Sequence, residues 1–265
     1  MSTTATTPAV PGGASPNGVP LLELRDIEAS YGPFRSLFGI SFGVREGSVM
    51  ALLGSNGSGK TTVVRVCCGL LKPTAGQLLY EGRDITGLRP FRLARIGIVH
   101  APEGRSVFST LTVDENLALT FRQVFGRSGY RAALQKAYDQ FPRLGERRKQ
   151  VAGTLSGGEQ RMLSLARVLV HEPKLLITDE LSLGLAPVVI DEVYRTLAVI
   201  REAGTSLLII EQHVHQALTL ADDVIVLSKG RVTLSGPVNE LGDVSERLLP
   251  AVHGEVPAGN GDTAR

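Results

Sequence analysis

Val49-Met-Ala-Leu-Leu-Gly-Ser-Asn-Gly-Ser-Gly-Lys-Thr61 is the stretch on which the fold turns. Val49 to Leu53 is a continuous apolar run bounded by Gly47 and Gly54, the pattern of a strand buried on both faces. Gly54 to Thr61 then fits the phosphate-loop pattern, and the stretch from Lys60 to Leu71 reads as a helix stopped by Pro73 and Gly76. Gly54, Gly57 and Gly59 let the backbone curl so that the N–H groups of Ser55, Asn56, Ser58 and their neighbours converge on phosphate oxygens. The helix start adds its positive end. In this arrangement Lys60 reaches the β- and γ-phosphates, the Thr61 hydroxyl ligates Mg²⁺, and Thr62 follows in the same turn.

Two later stretches extend that reading. Leu175-Leu-Ile-Thr-Asp-Glu180 is an apolar strand ending in an acidic pair. Asp179 is placed to hold Mg²⁺, and Glu180, one residue beyond, to polarise an attacking water as general base. A pair of surface acids closing a strand is the plain alternative, and the phosphate loop upstream favours the site. Leu155-Ser-Gly-Gly-Glu-Gln160 precedes a helix running to about Val170. Ser156, Gly157 and Gly158 offer a hydroxyl and unencumbered N–H groups to an anion. Ser156 with Glu159 three residues on is also a capping box, and the two readings are compatible.

The bulk properties bound the rest. A chain of 265 residues, 43% hydrophobic and 20% charged, has room for one large α/β domain. A net charge of +2 demands neither nucleic acid nor an anionic membrane as partner. No apolar run approaches the roughly 20 residues that span a bilayer, so work at a membrane requires other subunits to carry the spanning helices. Met1 to Pro20 lacks the basic start and apolar centre of a signal peptide and reads as a disordered tail, as does the end from about residue 246. The neighbouring Cys67 and Cys68 suit neither a disulfide nor a metal cluster and read as core-filling residues of a cytosolic protein.

Further strands are expected at Leu22–Arg25, Ile96–Val99, Leu175–Thr178, Ser206–Ile210 and Val224–Leu227. Strands alternating with helical stretches point to a mainly parallel sheet with helices on both faces. Residues 113–150 lack β-rich runs and carry helical stretches at Glu115–Val124 and Tyr130–Phe141, which read as a helical insertion.

Three motifs in this order make the chain resemble an ATP-binding subunit of the ABC transporter superfamily from Leu21 to about Leu241. The segments Ala101-Pro-Glu-Gly-Arg-Ser-Val-Phe108, Leu111-Thr-Val-Asp-Glu-Asn-Leu117, Ser182-Leu-Gly-Leu-Ala-Pro187 and Ile210-Glu-Gln-His213 resemble the ATP-binding proteins of branched-chain amino-acid importers. The resemblance implies a P-loop NTPase (RecA-like) α/β core with an antiparallel β subdomain and a helical subdomain at about residues 103–157, the whole cassette spanning 21–245. It implies ATP and Mg²⁺ as cofactors and a head-to-tail pair of cassettes, a homodimer or a pair with a related paralogue. In that pair Ser156 and Gly158 touch the γ-phosphate held by the other subunit. It also implies transmembrane permease subunits, an extracytoplasmic solute-binding protein acting indirectly, no nucleic acid, and a peripheral place on the cytoplasmic face of the membrane. Tyr31 stands where the family stacks an aromatic ring on adenine, worth about 1–3 kcal/mol. A turn tyrosine before Gly32 is the alternative.

Several positions depart from the general pattern. Glu103 stands where a Gln usually links Mg²⁺ to the membrane partner, and Leu181 where a Pro follows the catalytic Glu. The switch His aligns with Gln212, with His213 immediately after; one step along an extended chain reverses side-chain direction, so only one of the two faces the γ-phosphate. The competing readings are a soluble single-cassette ATPase in envelope-lipid transport or cofactor assembly, and a regulatory pseudo-ATPase. The intact Lys60, Asp179 and Glu180 argue against the last.

Overall fold

The structure, a computed structural model, describes residues 18–102, 107–170, 172–212 and 214–241. Most of both expected tails (1–20 and 246–265) lies outside that set. Two sheets organise the chain. The first is antiparallel, in the order β2 (Phe34–Val44), β1 (Leu22–Tyr31), β4 (Ala75–Tyr80), β5 (Arg83–Asp84). Between β2 and β4 the chain enters the second sheet through β3 (Val49–Leu53), followed by α1 (Lys60–Cys67). That sheet runs in the order β10 (Arg231–Pro237), β9 (Asp223–Ser228), β3, β8 (Ser206–Glu211), β7 (Leu175–Asp179), β6 (Ile98–Ala101). All its pairings are parallel except β9 with β10 at one edge. Every residue of β3, β7 and β8 is buried, as the continuous apolar runs require of strands covered on both faces.

The helices follow from the connections. α2 (Pro90–Arg95) leads into β6, and α3 (Val113–Gln140), α4 (Pro142–Glu146) and α5 (Gly157–Leu169) lie between β6 and β7. α6 (Pro187–Glu202) joins β7 to β8, and α7 (Val214–Leu220) joins β8 to β9. One core packs the inner face of the antiparallel sheet (Leu24, Ile40, Phe42) against α1 (Val63, Val64) and the parallel sheet (Leu52, Ile210). A second packs the opposite face (Leu176, Leu207, Ile209) against α3, α5 and α6 through Phe121, Leu163 and Leu197. Cys67 and Cys68 are buried in the first core, and burial pushes the Cys67 thiol up to about 12.

Several boundaries differ from the sequence reading for local reasons. α1 stops at Cys67 rather than Leu71: Gly69 turns left-handed at φ +67°, and the N–H groups of Leu70 and Leu71 both donate to the Arg65 carbonyl. β6 begins at Ile98, because Gly97 at φ +98° breaks the extended chain after Ile96. The two helical stretches expected in the insertion form one element, α3, broken between them at Gly126 (φ +69°, ψ −171°).

Candidate functional site

The strand order β3–β8–β7–β6 decides what meets at the carboxyl edge of the parallel sheet. The loop after β3, the end of β8, the end of β7 and the end of β6 stand in a row, and in a doubly wound sheet that edge is where ligands bind. Leu53 pairs with Glu211 and Asp179 with Ile210, so Gln212 and Glu180 leave the sheet beside the loop that begins at Gly54.

Lys60 opens α1 and folds its side chain back over that loop. Its Nζ donates to the carbonyls of Gly54 (2.8 Å) and Ser55 (3.2 Å) and stands 3.5 Å from Glu180 Oε1. The ammonium is 4% exposed, a burial tolerable only because these oxygens compensate the charge. The loop closes on itself through Ser58 N–H to the Ser55 carbonyl at 3.1 Å, and the Ser58 carbonyl accepts from Gly230 N–H at 2.8 Å. Ser58 Oγ is buried with no partner. Asn56 and Gly57 are exposed at the loop tip, and Gly59 caps α1 at φ +112°. Thr61 is exposed on the first turn; the Thr62 hydroxyl instead turns inward to Ser36 Oγ of β2, 2.8 Å away.

Glu180 sits in the left-handed region at φ +46°, a conformation costing a side-chain-bearing residue about 1–3 kcal/mol, and it is 9% exposed. Its N–H donates to the Ile210 carbonyl at 2.9 Å, which continues the ladder one residue past the strand. Its Oε1 accepts from Gln212 Nε2 at 3.1 Å, and the same amide nitrogen donates to Asn56 Oδ1. Gln212 therefore bridges the loop and the acidic turn. Glu103 and His213 lie outside the described residues.

The turn after Glu180 is clamped by a pair the sequence reading did not single out. Ser182 N–H and Oγ–H donate to the two carboxylate oxygens of Glu211, at 3.0 and 2.6 Å, and Glu211 is 1% exposed. The only sequence signal for it is an acid closing an apolar strand beside Gln212. Leu181, where a Pro was the usual residue, is buried in the core formed with α5 and α6.

Asp179 ends β7 and is buried, and its charge reaches Cys68, whose thiol burial and this carboxylate both push up. Thr61 and Asp179 supply two hard oxygen donors, and among the described residues no group of three or more His, Cys, Asp and Glu gathers. That donor set suits Mg²⁺, which takes one or two protein oxygens and completes its shell with phosphate and water.

Ser156, Gly157, Gly158 and Glu159 lie at the start of α5, where both halves of the capping box form. Ser156 Oγ accepts from Glu159 N–H (3.3 Å), and Glu159 Oε2 accepts from Ser156 N–H (2.9 Å) and from its hydroxyl (2.9 Å). Tyr31 ends β1 at the hairpin with β2, 39% exposed. Arg65 of α1 lies beside it, Nη1 donating to the phenol oxygen at 3.2 Å with the guanidinium carbon 5.7 Å from the ring centroid. Nothing in the sequence pattern marks Arg65. Among the described residues no helix is long and apolar enough to cross a membrane.

Comparison with known proteins agrees with this geometry. Residues 37–182 match the family described as ABC transporter. The chain is 40% identical over 214 residues to the high-affinity branched-chain amino acid transport ATP-binding protein BraG of Pseudomonas aeruginosa, covering 81% of this chain and 91% of that one. It is 34% identical over 222 residues to the probable branched-chain amino acid transport ATP-binding protein LivF of Archaeoglobus fulgidus, covering 83% and 94%. Among solved structures it resembles the ADP conformation of an ATP-binding cassette of an ABC transporter, with a TM-score of 0.79 at 28% identity over 89% of this chain and 98% of that one. The two-sheet architecture, the row of loops along one sheet edge and these likenesses have one reading: the chain belongs to the ABC transporter family, as one of its ATP-binding, ATP-hydrolysing cassettes.

Proposed function

We propose that this cassette powers a membrane importer for branched-chain or related amino acids, acting from the cytoplasmic face through separate permease subunits and paired with a second cassette. The observation that carries the catalytic part is the cluster in which Gln212 joins Asn56 to Glu180, with Lys60 beside it. The 40% and 34% likenesses to proteins named for branched-chain amino acid transport support the cargo class.

The roles follow from what each group can do. The N–H groups of Gly54 to Thr61 take the phosphate oxygens, and Lys60 exchanges its two loop carbonyls for the β- and γ-phosphates. Thr61 and Asp179 would hold Mg²⁺, and Glu103 is given the same role from the sequence alone; the ion, when bound, would neutralise charge on the phosphates. Glu180 polarises the attacking water as general base. Gln212 holds the Glu180 carboxylate in the resting chain and donates its amide to the γ-phosphate once nucleotide arrives; Gln does not titrate, so this sensor is insensitive to pH. His213 is assigned no such donation. Tyr31 stacks on adenine. Ser156, Gly157, Gly158 and Glu159 form the start of α5 that covers nucleotide held by the partner cassette.

Glu180→Gln tests the assignment. Turnover should fall by at least about 10²-fold while ATP affinity is retained, and nucleotide should trap a paired form. A variant hydrolysing ATP near the wild-type rate would remove Glu180 from the role of base. For the cargo, cells lacking the protein should lose uptake of labelled leucine, isoleucine or valine, and the wild-type gene but not Lys60→Ala should restore it. Undiminished uptake of all three would rule out branched-chain amino acids as cargo.

A further inference from the structure

We infer that Arg161 is a positioning residue that ties α5 to the turn carrying Glu180 and thereby sets the aim of its carboxylate. Arg161 lies in the second turn of α5 and is 4% exposed, although it carries a permanent charge. Each of its three guanidinium nitrogens reaches a main-chain oxygen of another element. Nε donates to the Leu181 carbonyl at 3.2 Å, Nη2 to the Glu180 carbonyl at 3.3 Å, and Nη1 reaches the Pro102 carbonyl just after β6 at 3.5 Å. A planar fork with fixed donor directions suits two successive carbonyls better than an ammonium does.

The consequence lies in the geometry of Glu180. Its backbone is held at φ +46°, a conformation that persists only where surrounding bonds over-determine it. On the amino side the residue is fixed by its N–H bond to Ile210, and the following turn is fixed by Ser182 on Glu211. The Glu180 carbonyl between them accepts from Leu183 N–H at 3.2 Å, which closes the local turn, and from Arg161 Nη2, which ties that turn to α5. Without Arg161 the carbonyl keeps its local bond to Leu183 but loses its tie to α5, so the peptide plane from which the side chain is aimed at Gln212 and Lys60 shifts with the turn. The same helix is capped by Ser156, five residues before Arg161, so a shift of the start of α5 reaches the Glu180 turn through one rigid element. This inference rests on the reading of Glu180 as general base.

The test uses the full chain with Arg161→Gln and Arg161→Lys. Misplacing a reacting group by about 1 Å costs up to about 10²-fold, so Arg161→Gln is expected to lower kcat by about 10- to 100-fold. Arg161→Lys, keeping the charge without the fork, should fall between that variant and wild type. ATP affinity should change by no more than about twofold, because the phosphate loop is untouched. Residues acting as one unit are non-additive, so Arg161→Gln placed in the Glu180→Gln protein should leave its residual rate unchanged. Both single variants within about threefold of the wild-type kcat would overturn the inference. So would ATP affinity, folded fraction and kcat falling together with Lys no better than Gln, or a further full loss in the double variant. If Arg161→Gln does not fold, Arg161→Lys carries the same criteria. A fast Glu180→Gln protein counts against the base assignment; a slow one beside fast Arg161 variants counts against Arg161 alone.

Discussion

α1 and α5 both begin in a turn rich in Gly and Ser, and they begin in opposite ways. α1 is capped by Gly59 with no side-chain bond to its first N–H groups, and the side chain that opens it turns back onto loop carbonyls. α5 is capped by Ser156 with both halves of a capping box, and Glu159 Oε1 is braced in turn by Arg147 Nε at 2.8 Å. The first four N–H groups of any helix need partners from outside it. At α1 they are left for an anion; at α5 the chain supplies some of them itself. On the proposed function a ligand completes α1, whereas at α5 it shares donors with a cap already formed.

The sharpest way to break that contrast is Lys60→Ala. Removing a charge-assisted contact of about 1.5–3 kcal/mol should weaken ATP binding about 10- to 150-fold, as read by calorimetric titration. No comparable loss is expected from Ser156→Ala in the isolated subunit. Equal losses at the two sites would mean that α5 binds nucleotide within its own chain.

The glycines give the next largest effects, and they differ in kind. Gly59 stands at φ +112°, which no trimming of a neighbour makes comfortable for alanine, even though the nearest obstacle is only the Leu37 side chain at 2.9 Å. Gly158 has ordinary helical backbone, and an added Cβ would come within 2.3 Å of Val189 Cγ1 on α6. Gly158→Ala should cost about 1–3 kcal/mol by overpacking, and Val189→Ala should recover much of it. Gly59→Ala should lose a similar amount in thermal unfolding, with no recovery on Leu37→Ala. Recovery in both pairs would show that packing, not backbone conformation, sets the demand for glycine at α1.

The two helix starts also show what a sequence discloses. Both motifs are local, so the strand–loop–helix of Val49 to Thr61 and the Ser156–Glu159 box could be placed from spacing alone. The parallel strands were legible because burial on both faces leaves no polar residues to interrupt them. Of the antiparallel sheet only Leu22–Arg25 of β1 was read from its own residues. β2 carries Gly39 and Gly43 and its burial follows no regular alternation, with Phe34 and Arg35 both exposed and Phe42, Gly43 and Val44 all buried, so the sheet as a whole offers no clear pattern. Its presence followed only from the family resemblance. Within the candidate site, Lys60, Asp179 and Glu180 announce themselves by position next to a strand. Arg161, Arg65 and the Ser182–Glu211 pair do not, because their partners are main-chain carbonyls or residues as much as 34 positions away, which only the fold brings near.

A smaller effect probes the cap alone. Ser156→Ala removes an N-cap acceptor worth about 1 kcal/mol, which for a chain of this size shifts the unfolding midpoint by about 2–4 °C. Its effect on turnover should exceed its effect on stability if α5 meets the partner's nucleotide. Mixing Lys60→Ala with Ser156→Arg subunits separates the two roles: one intact composite site in the mixed pair should restore part of the ATPase. No recovery in confirmed mixed pairs would confine Ser156 to capping or deny that one site fires alone.

The smallest expected effect concerns the acid that closes the cap. Burial raises the Glu159 pKa, but the Ser156 N–H and hydroxyl, aided by Arg147 and Arg143, outweigh it and leave the value lowered. A carboxyl lowered on folding contributes stability that is present above its unfolded pKa and lost as pH falls through the folded one. Glu159→Gln should therefore unfold a little earlier than wild type at neutral pH, and the gap should narrow as pH falls below the ordinary Glu value of about 4.3. Arg147→Ala, at a partly exposed pair worth about 0.2–1 kcal/mol, should show a smaller gap that salt also erases. At α1 the cap is Gly59, which has no side chain to titrate, so of these two helix starts a pH-dependent difference of this kind belongs to α5. If the Glu159→Gln gap stayed constant from pH 7 to pH 3.5, roughly one unit below the ordinary Glu value, the ionised carboxylate would not be what holds the cap, and the contrast between the two helix starts would rest on Ser156 only.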